Sequence, residues 1–387
     1  MRNSILFISN AFPDFSSSYR GIFIKSMASL LQEDGYRISV VTPKIYDDSP
    51  CFENQGGLKV YRFPFFAGNK LLIEYDKIPY LKMILYYLSG IILSSYVLLK
   101  SRCSLIHAHW AIPTGLIGAL VGMVLRKHLI VTIHGSDLRM AMEHSGFVRK
   151  LFVFVCKRAA HVNCVSEAQE NEIEKLGITR GKVSTFPMGV EETFLKAGQN
   201  RGRISAKRPF TVLSNRNLLP IYNVSLLIRA IPGVLKEEPA TRFLIAGEGA
   251  ERENLERVAK ELKVSQSVQF LGRIPHQEMP GLLSEADIYV STSLSDGTSV
   301  SLLEAMAVGS FPVVTDIASN REWVADGENG FLVRADSAVL LAQRIVDAIR
   351  NGSLLDKARQ RNVEIVQTKA YWKENIRRVI ELYRNGL

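Results

Sequence analysis

SDGTSVSLLEAMAVGSFPVV, Ser295 to Val314, sets two carboxylates, Asp296 and Glu304, eight positions apart between two apolar runs. The preceding DIYVSTS reads as a buried strand ending at Ser295, and Asp296-Gly297 as a turn. A helix is then predicted from about Ser299 to Gly309, followed at once by a second strand, FPVV. Strand, turn, helix and strand in that order is the repeating unit of a parallel sheet. The first turn of such a helix has amide N–H groups without intrahelical partners and a partial positive charge. Gly297, Thr298, Ser299, Val300 and Ser301 therefore form a candidate seat for a phosphate or diphosphate. At about 100° per residue, Glu304 points away from Leu302 and Met306; if those two face the sheet, its carboxylate faces a crevice. There it could accept from both hydroxyls of a ribose, and Asp296 from the hydroxyls of a sugar. The same spacing fits a plain helix cap at Asp296 and a solvated surface acid at Glu304, so spacing alone leaves both readings open.

Outward from this stretch the same alternation runs along nearly the whole chain. The first half offers strands at SILFIS, RISVVT, LIHAHW, LIVTIH, HVNCVS and VSTFPM; the second at FTVLSN, RFLIAG, VQFLGR, DIYVST, FPVVTD and GFLV. Between them FLKAGQNRGRISAKRP is rich in Gly, Lys and Arg and poor in apolar residues, which predicts a linker. The expected organisation is a domain over residues 1–195, a linker over 196–209 and a second domain over 210–367. The amphipathic helix predicted at about 368–387 is expected to dock back on the first domain. Ligands of doubly wound sheets bind beyond the carboxyl ends of the strands, so the site is expected between the domains.

The chain has 387 residues, long enough for two ordinary domains, and 47% hydrophobic with 22% charged residues is a globular composition. A net charge of +10 favours anionic ligands, phosphorylated substrates or acidic lipid headgroups; nucleic acid is not expected as a partner. The four cysteines, Cys51, Cys103, Cys156 and Cys164, form neither a C-x-x-C pair nor a dense framework, which fits a reducing cytoplasm. MRNSILFISNAFPDF has an apolar run too short for a signal-peptide core and reads as a first buried strand. Met83 to Leu99 carries no charge between Lys82 and Lys100, which is close to the shortest membrane-spanning length. Its serines, glycine and tyrosines favour a buried or surface-docked helix.

D-x7-E followed by AMAVGSFPVV resembles the E-x7-E signature of retaining glycosyltransferases with the GT-B fold, especially family 4. SNRNLLPIYNVSLLIRA, RFLIAGEGAERENLERVA, VQFLGRIPHQEMPGLLSEADIYVSTS and DGENGFLV fall in the family's order, as do IHAHWAIPTG, VTIHGSDL and NCVSEAQ in the first half. The resemblance spans essentially the entire chain and is most specific in the second half. It implies an α/β protein of two Rossmann-like doubly wound domains facing across a cleft. The first would bind the acceptor and the second a nucleotide diphosphate sugar, with no metal and no cofactor; the chain contains no D-x-D segment.

Residue by residue, Arg216 in SNRN matches the family's phosphate-binding arginine. The usual lysine a few residues on is replaced by Tyr222 or a neighbour, which removes one positive charge from the leaving-group site. The first acid of the signature is shortened to Asp296, and Gly297 and Thr298 stand where an aromatic-glycine pair is usual. His134 in TIHGSD matches the histidine beside the reacting sugar, so His134, Arg216 and Asp296 are the candidate catalytic groups. Gly21 in YRGIFIK matches the glycine whose loop approaches the donor phosphates. Gly247 and Gly249, with Arg273 and Ile274, match strand ends that hold the nucleobase. Candidate acceptor contacts are Tyr19 and Arg20 in the loop after the first strand, His109 and Asp137; a plain loop, a structural histidine and a helix start are the competing readings. Arg149, Lys150, Lys157 and Arg158 surround an apolar helix body that suits either an anionic membrane surface or ordinary core packing with solvated ends.

The function so implied is retaining transfer of a hexose-type sugar from a UDP- or GDP-linked donor to a glycan or lipid-linked glycan, in cell-surface polysaccharide or lipopolysaccharide assembly. It would take place in the cytoplasm, peripherally on the membrane's inner face. A catalytically inactive partner subunit with the same fold is the alternative. A nicotinamide dehydrogenase would need G-x-G-x-x-G after the first strand, and SNAFPDFSSSYRG lacks it.

Overall fold

The computed structural model describes residues 4–15, 18, 20–70, 75, 79–143, 146–199, 201 and 209–385. The chain divides into two compact units, Met1–Pro187 with Lys373–Leu387, and Met188–Trp372.

The first unit contains β1 (Ser4–Ser9), β2 (Arg37–Lys44), β3 (Phe52–Gln55), β4 (Leu58–Pro64), β5 (Leu105–His109), β6 (His128–Ile133), β7 (His161–Cys164) and β8 (Val183–Thr185). They form one sheet in the order β3-β4-β2-β1-β5-β6-β7-β8, parallel except for β3, which runs antiparallel to β4. β1, β5 and β6 are almost wholly buried apolar runs, as strands covered on both faces must be. Its helices are α1 (Ile22–Glu33), α2 (Tyr80–Lys100), α3 (Leu116–Val124), α4 (Ser136–Glu143), α5 (Gly146–Arg158) and α6 (Glu167–Lys175). The β3–β4 hairpin is not predicted from the sequence because β3 is polar and half exposed. Its one local signal is Gly56-Gly57, both at positive φ in the two-residue turn.

The second unit contains α7 (Glu192–Gln199), β9 (Thr211–Ser214), α8 (Val224–Glu237), β10 (Arg242–Ala246), α9 (Arg252–Glu261), β11 (Val268–Gly272), α10 (Met279–Glu285) and β12 (Ile288–Ser291). It continues through α11 (Val300–Ala307), β13 (Phe311–Thr315), α12 (Ala318–Arg321), β14 (Phe331–Val333), α13 (Ala338–Arg350) and α14 (Gly352–Lys369). The sheet order is β11-β10-β9-β12-β13-β14, all parallel. The chain then crosses back, and from Lys373 α15 (Trp372–Asn385) belongs to the first unit, where Tyr383 Oη meets His107 Nδ1 at 2.7 Å.

The boundary expected at 195–210 lies at Pro187/Met188 instead. The basic stretch expected to be a linker begins as α7, which buries Phe194 and Leu195 in the second unit's core. Arg201 is fixed to the same unit: its guanidinium donates to the Ala286 carbonyl at 2.6 Å and lies 3.6 Å from Asp287. Lysines and arginines hid an amphipathic helix whose apolar face has somewhere to go.

Candidate functional site

In each sheet the strand order reverses once, and the carboxyl ends of the strands flanking that reversal are where an α/β sheet opens a ligand crevice. In the second unit the reversal falls between β9 and β12, since β9 leads on to β10 one way and to β12 the other. The residues that follow these two strands are Arg216 and Asp296. Arg216 is buried, donating through Nη2 to Asp296 Oδ2 and through Nη1 to Ser299 Oγ, both at 2.6 Å. Its third donor, Nε, is buried without a partner among the described residues. Tyr222, in the place expected of a lysine, lies with its ring 4.3 Å from the guanidinium carbon, so it stacks on the arginine instead of adding a charge.

Asp296 is not a helix cap: its Oδ1 accepts from Gly297 N, and Ser299 is the N-cap of α11, its hydroxyl accepting from Leu302 N. β12 ends at Ser291 and α11 at Ala307, both earlier than expected. Thr298 and Ser301 are half-buried and Gly297 is buried beside them. With Leu302 N capped, the amides of Val300 and Ser301 remain at the helix start for an anion.

Glu304 is buried rather than solvated, and His276 Nε2 donates to its Oε1 at 3.0 Å. Burial raises the Glu304 pKa, with His276 opposing. Burial lowers that of His276, but the hydrogen bond and charge of Glu304 outweigh it, and the imidazole is raised above its ordinary value. Sequence reasoning missed this partner, although it stands in GRIPHQ two residues after Ile274. Ile274 packs on the core while Arg273 is exposed.

Gly247 and Gly249 have a tighter reason than ligand access. A Cβ on Gly247 would lie 2.3 Å from the Arg216 carbonyl oxygen, and one on Gly249 would lie 2.3 Å from that of Leu218. These glycines let the loop after β10 lie on the loop that carries Arg216.

In the first unit the strand order reverses between β1 and β5. Gly21, at the start of α1 with φ 69°, could not hold a side chain, since its Cβ would sit 2.3 Å from the Ala11 carbonyl oxygen. Arg20 is committed within this loop: Nε and Nη2 donate to Asp14 at 2.7 and 2.8 Å, and Nη1 to the Asn10 carbonyl at 2.7 Å. Tyr19 lies outside the described residues.

His109 ends β5, and His134 follows β6 beside it, with His109 Nδ1 3.2 Å from His134 Nε2. His109 is fully buried and acts on His134 rather than facing outward, whereas His134 is half-buried. Burial holds His134 at about 3 and His109 well below the ordinary histidine range, so this pair is neutral and shares one hydrogen bond. Trp110 and Phe23 lie against the His134 ring, with centroids 4.4 and 5.3 Å away. Sequence reasoning missed both, although the tryptophan directly follows the HAH of β5. Asp137 is fully buried: Oδ2 accepts from Ala111 N at 2.7 Å, and Oδ1 from the amides of His134 at 3.2 Å and Gly135 at 3.0 Å. Burial raises its pKa to about 6 against the pull of those amides. Asp137 stands in the first turn of α4, at a helix start, and its carboxylate clamps the backbone that holds His134 in place.

Two family models match in succession: "Glycosyltransferase Family 4" over residues 21–194 and "Glycosyl transferases group 1" over residues 199–364. The chain belongs to the family 4 glycosyltransferases. This glycosyltransferase is 24% identical to the GPI3 subunit of phosphatidylinositol N-acetylglucosaminyltransferase from Saccharomyces cerevisiae, over 94% of its own length and 78% of that chain. It is equally 24% identical to TuaC of Bacillus subtilis, named as a teichuronic acid biosynthesis glycosyltransferase, with 88% of each covered. Its GT-B fold is shared with Anabaena HepE, solved in complex with UDP-glucose, at a TM-score of 0.75 and 18% identity, covering 98% of this chain and 99% of that one.

Proposed function

We propose that this glycosyltransferase moves a hexose-type sugar from a UDP- or GDP-linked donor to a glycan or lipid-linked glycan in cell-surface polysaccharide assembly. Transfer occurs with retention of configuration and without a metal or cofactor. The observation that carries the reading is the donor half-site of the second unit: a buried arginine at the strand-order reversal, with one unpartnered N–H, beside an open helix start. Arg216 and the amides of Val300 and Ser301 neutralise the leaving diphosphate, as preorganised donors do where charge develops. Glu304, held by His276, accepts from the ribose, and Asp296 from the sugar. His134, neutral and fixed by His109 and Asp137, hydrogen-bonds the reacting sugar. The acceptor hydroxyl attacks the anomeric carbon on the face from which the phosphate departs; the C–O bond to phosphate breaks, and a phosphate oxygen takes the incoming proton. The HepE complex with UDP-glucose supports a nucleotide-sugar donor, and TuaC a bacterial surface polymer. The transferase works peripherally on the inner face of the cytoplasmic membrane.

Two observations favour the inactive-subunit reading: Asp296 already balances Arg216, and Tyr222 brings no charge. Incubation with a panel of UDP- and GDP-sugars, with and without Glu304→Ala, separates the two. Donor hydrolysis that falls with the substitution supports the enzyme. Turnover indifferent to it sinks the donor site, and nucleotide-sugar binding without hydrolysis or transfer supports the inactive subunit.

A further inference from the structure

We infer that α2, with the basic pocket at its carboxyl end, is a docking surface for membrane lipids with anionic phosphate headgroups.

The helix is apolar on two opposite faces. At about 100° per residue, Leu81, Ile84, Leu88, Ile92, Tyr96 and Leu99 fall within an arc of about 120°. All six are 51–84% exposed. The face centred opposite them carries Tyr86, Gly90, Ser94 and Val97, all buried. Gly90 meets Ile117 and Phe63, so that face is used up on α3 and the sheet. α2 is long and apolar enough to cross a bilayer, yet one face is committed to the protein, which suits a helix lying in an interface. A continuous exposed stripe of this size marks a binding surface rather than scattered surface leucines.

Charge identifies the occupant. α2 has no acidic residue, and its two charges are Lys82 and Lys100, near its two ends. Lys100 also lines a pocket of about 740 Å³ with Arg37, Lys59 and Arg102. No carboxylate lines this pocket, and among the described residues none of the four cations has a carboxylate partner. The Gly56-Gly57 turn and the first residues of β1 and β2 form its walls. It therefore lies at the amino ends of the strands, whereas Gly21 and His134 follow carboxyl ends. Four unneutralised cations around a cavity attract a phosphate, and Lys100 donates to Tyr96 Oη at 2.8 Å, joining the pocket to the stripe. An amphiphile with an apolar body and an anionic head matches both parts. A protein partner or a second copy would cover the stripe but would not call for the pocket.

This deepens the peripheral-membrane part of the proposed function and is independent of donor chemistry, because vesicle binding is read without turnover. Full-length protein is sedimented with phosphatidylcholine vesicles, with or without phosphatidylglycerol. Binding is expected only to the anionic vesicles and to weaken as salt rises. Ile84→Ser/Leu88→Ser/Ile92→Ser, and separately Lys59→Gln/Lys100→Gln/Arg102→Gln, are each expected to lower partitioning about tenfold or more, with unchanged melting temperature and donor hydrolysis. Arg149→Gln/Lys150→Gln on α5 is expected to bind like wild type. Three results would each overturn the inference: wild type left in the supernatant with both vesicle types, triple variants that bind normally, or a wild-type dimer in light scattering that the stripe variant converts to monomer. Loss of donor hydrolysis with vesicle binding intact would strike the transfer reading alone.

Discussion

Arg216 joins the largest number of inferences in the second unit: it is buried, its two terminal nitrogens hold Asp296 and Ser299, and its Nε has no partner among the described residues, which leaves a donor for a ligand. Arg216→Ala is expected to lower donor turnover about 100-fold or more in a steady-state assay, the scale of losing a preorganised donor to a developing charge. Lysine should not rescue it, having no fork to bridge Asp296 and Ser299. His276 acts through Glu304, so His276→Ala is expected to raise the donor KM about tenfold with a smaller effect on kcat. The pH dependence has a definite sign. His276 has a raised pKa, so its stabilisation is complete below the unfolded histidine value of about 6.5 and is lost as pH rises through the folded value. Glu304 is also raised, so its part likewise fades as pH rises beyond the ordinary glutamate range. Calorimetry across this range should show a melting temperature that declines with pH, a component His276→Asn should remove.

Among elements, the turns after β6 and β10 hold the site by opposite means. At β6 a side chain does the work, since Asp137 takes three backbone amides. Asp137→Ala leaves all three without it and is expected to cost about 3 kcal/mol in urea unfolding, at roughly 1 kcal/mol or more per stranded donor. At β10 the absence of a side chain does the work: Gly247→Ala would drive a methyl into the Arg216 carbonyl. It is expected to lower both melting temperature and donor turnover, and unchanged turnover would show that the two loops are not coupled. Among the described residues, local pattern carried the fourteen-strand scheme most of the way, missing β3 and β4. It failed at β3 because an edge strand needs no apolar face, at β4 because Lys59 and Arg62 interrupt its apolar run, and at α7 because the arginines and lysines that follow Gln199 masked its short apolar face.

At the scale of the whole molecule, the last helix returns to the first unit and meets it in chemistry as well as packing. Tyr383 is fully buried, and His107 bridges it to Thr132 through Nε2 at 2.9 Å, spanning α15, β5 and β6. Removal of the chain from Lys373 onward is expected to raise hydrogen exchange in β5 and β6 while leaving β9 to β14 protected. Uniform loss of protection would instead mean that both units fold as one. Tyr383→Phe, which deletes only the hydroxyl, should cost about 1 kcal/mol and distinguish the hydrogen bond from the packing.

The sequence alone determined the alternation of strands and helices, the two sheets, the family and the positions of Arg216, Glu304 and His134. Each is written locally, in apolar runs, in glycines at turns and in the spacing of an acid in a turn from an acid on the helix that follows it. Only tertiary structure decided that Asp296 pairs with Arg216, that His276 supports Glu304, that Asp137 clamps amides and that α2 leaves one apolar face exposed. Those are relations between segments distant in the chain, brought together by the order of strands in a sheet. A strand's own residues declare that it is buried, but they do not say which strand will lie beside it.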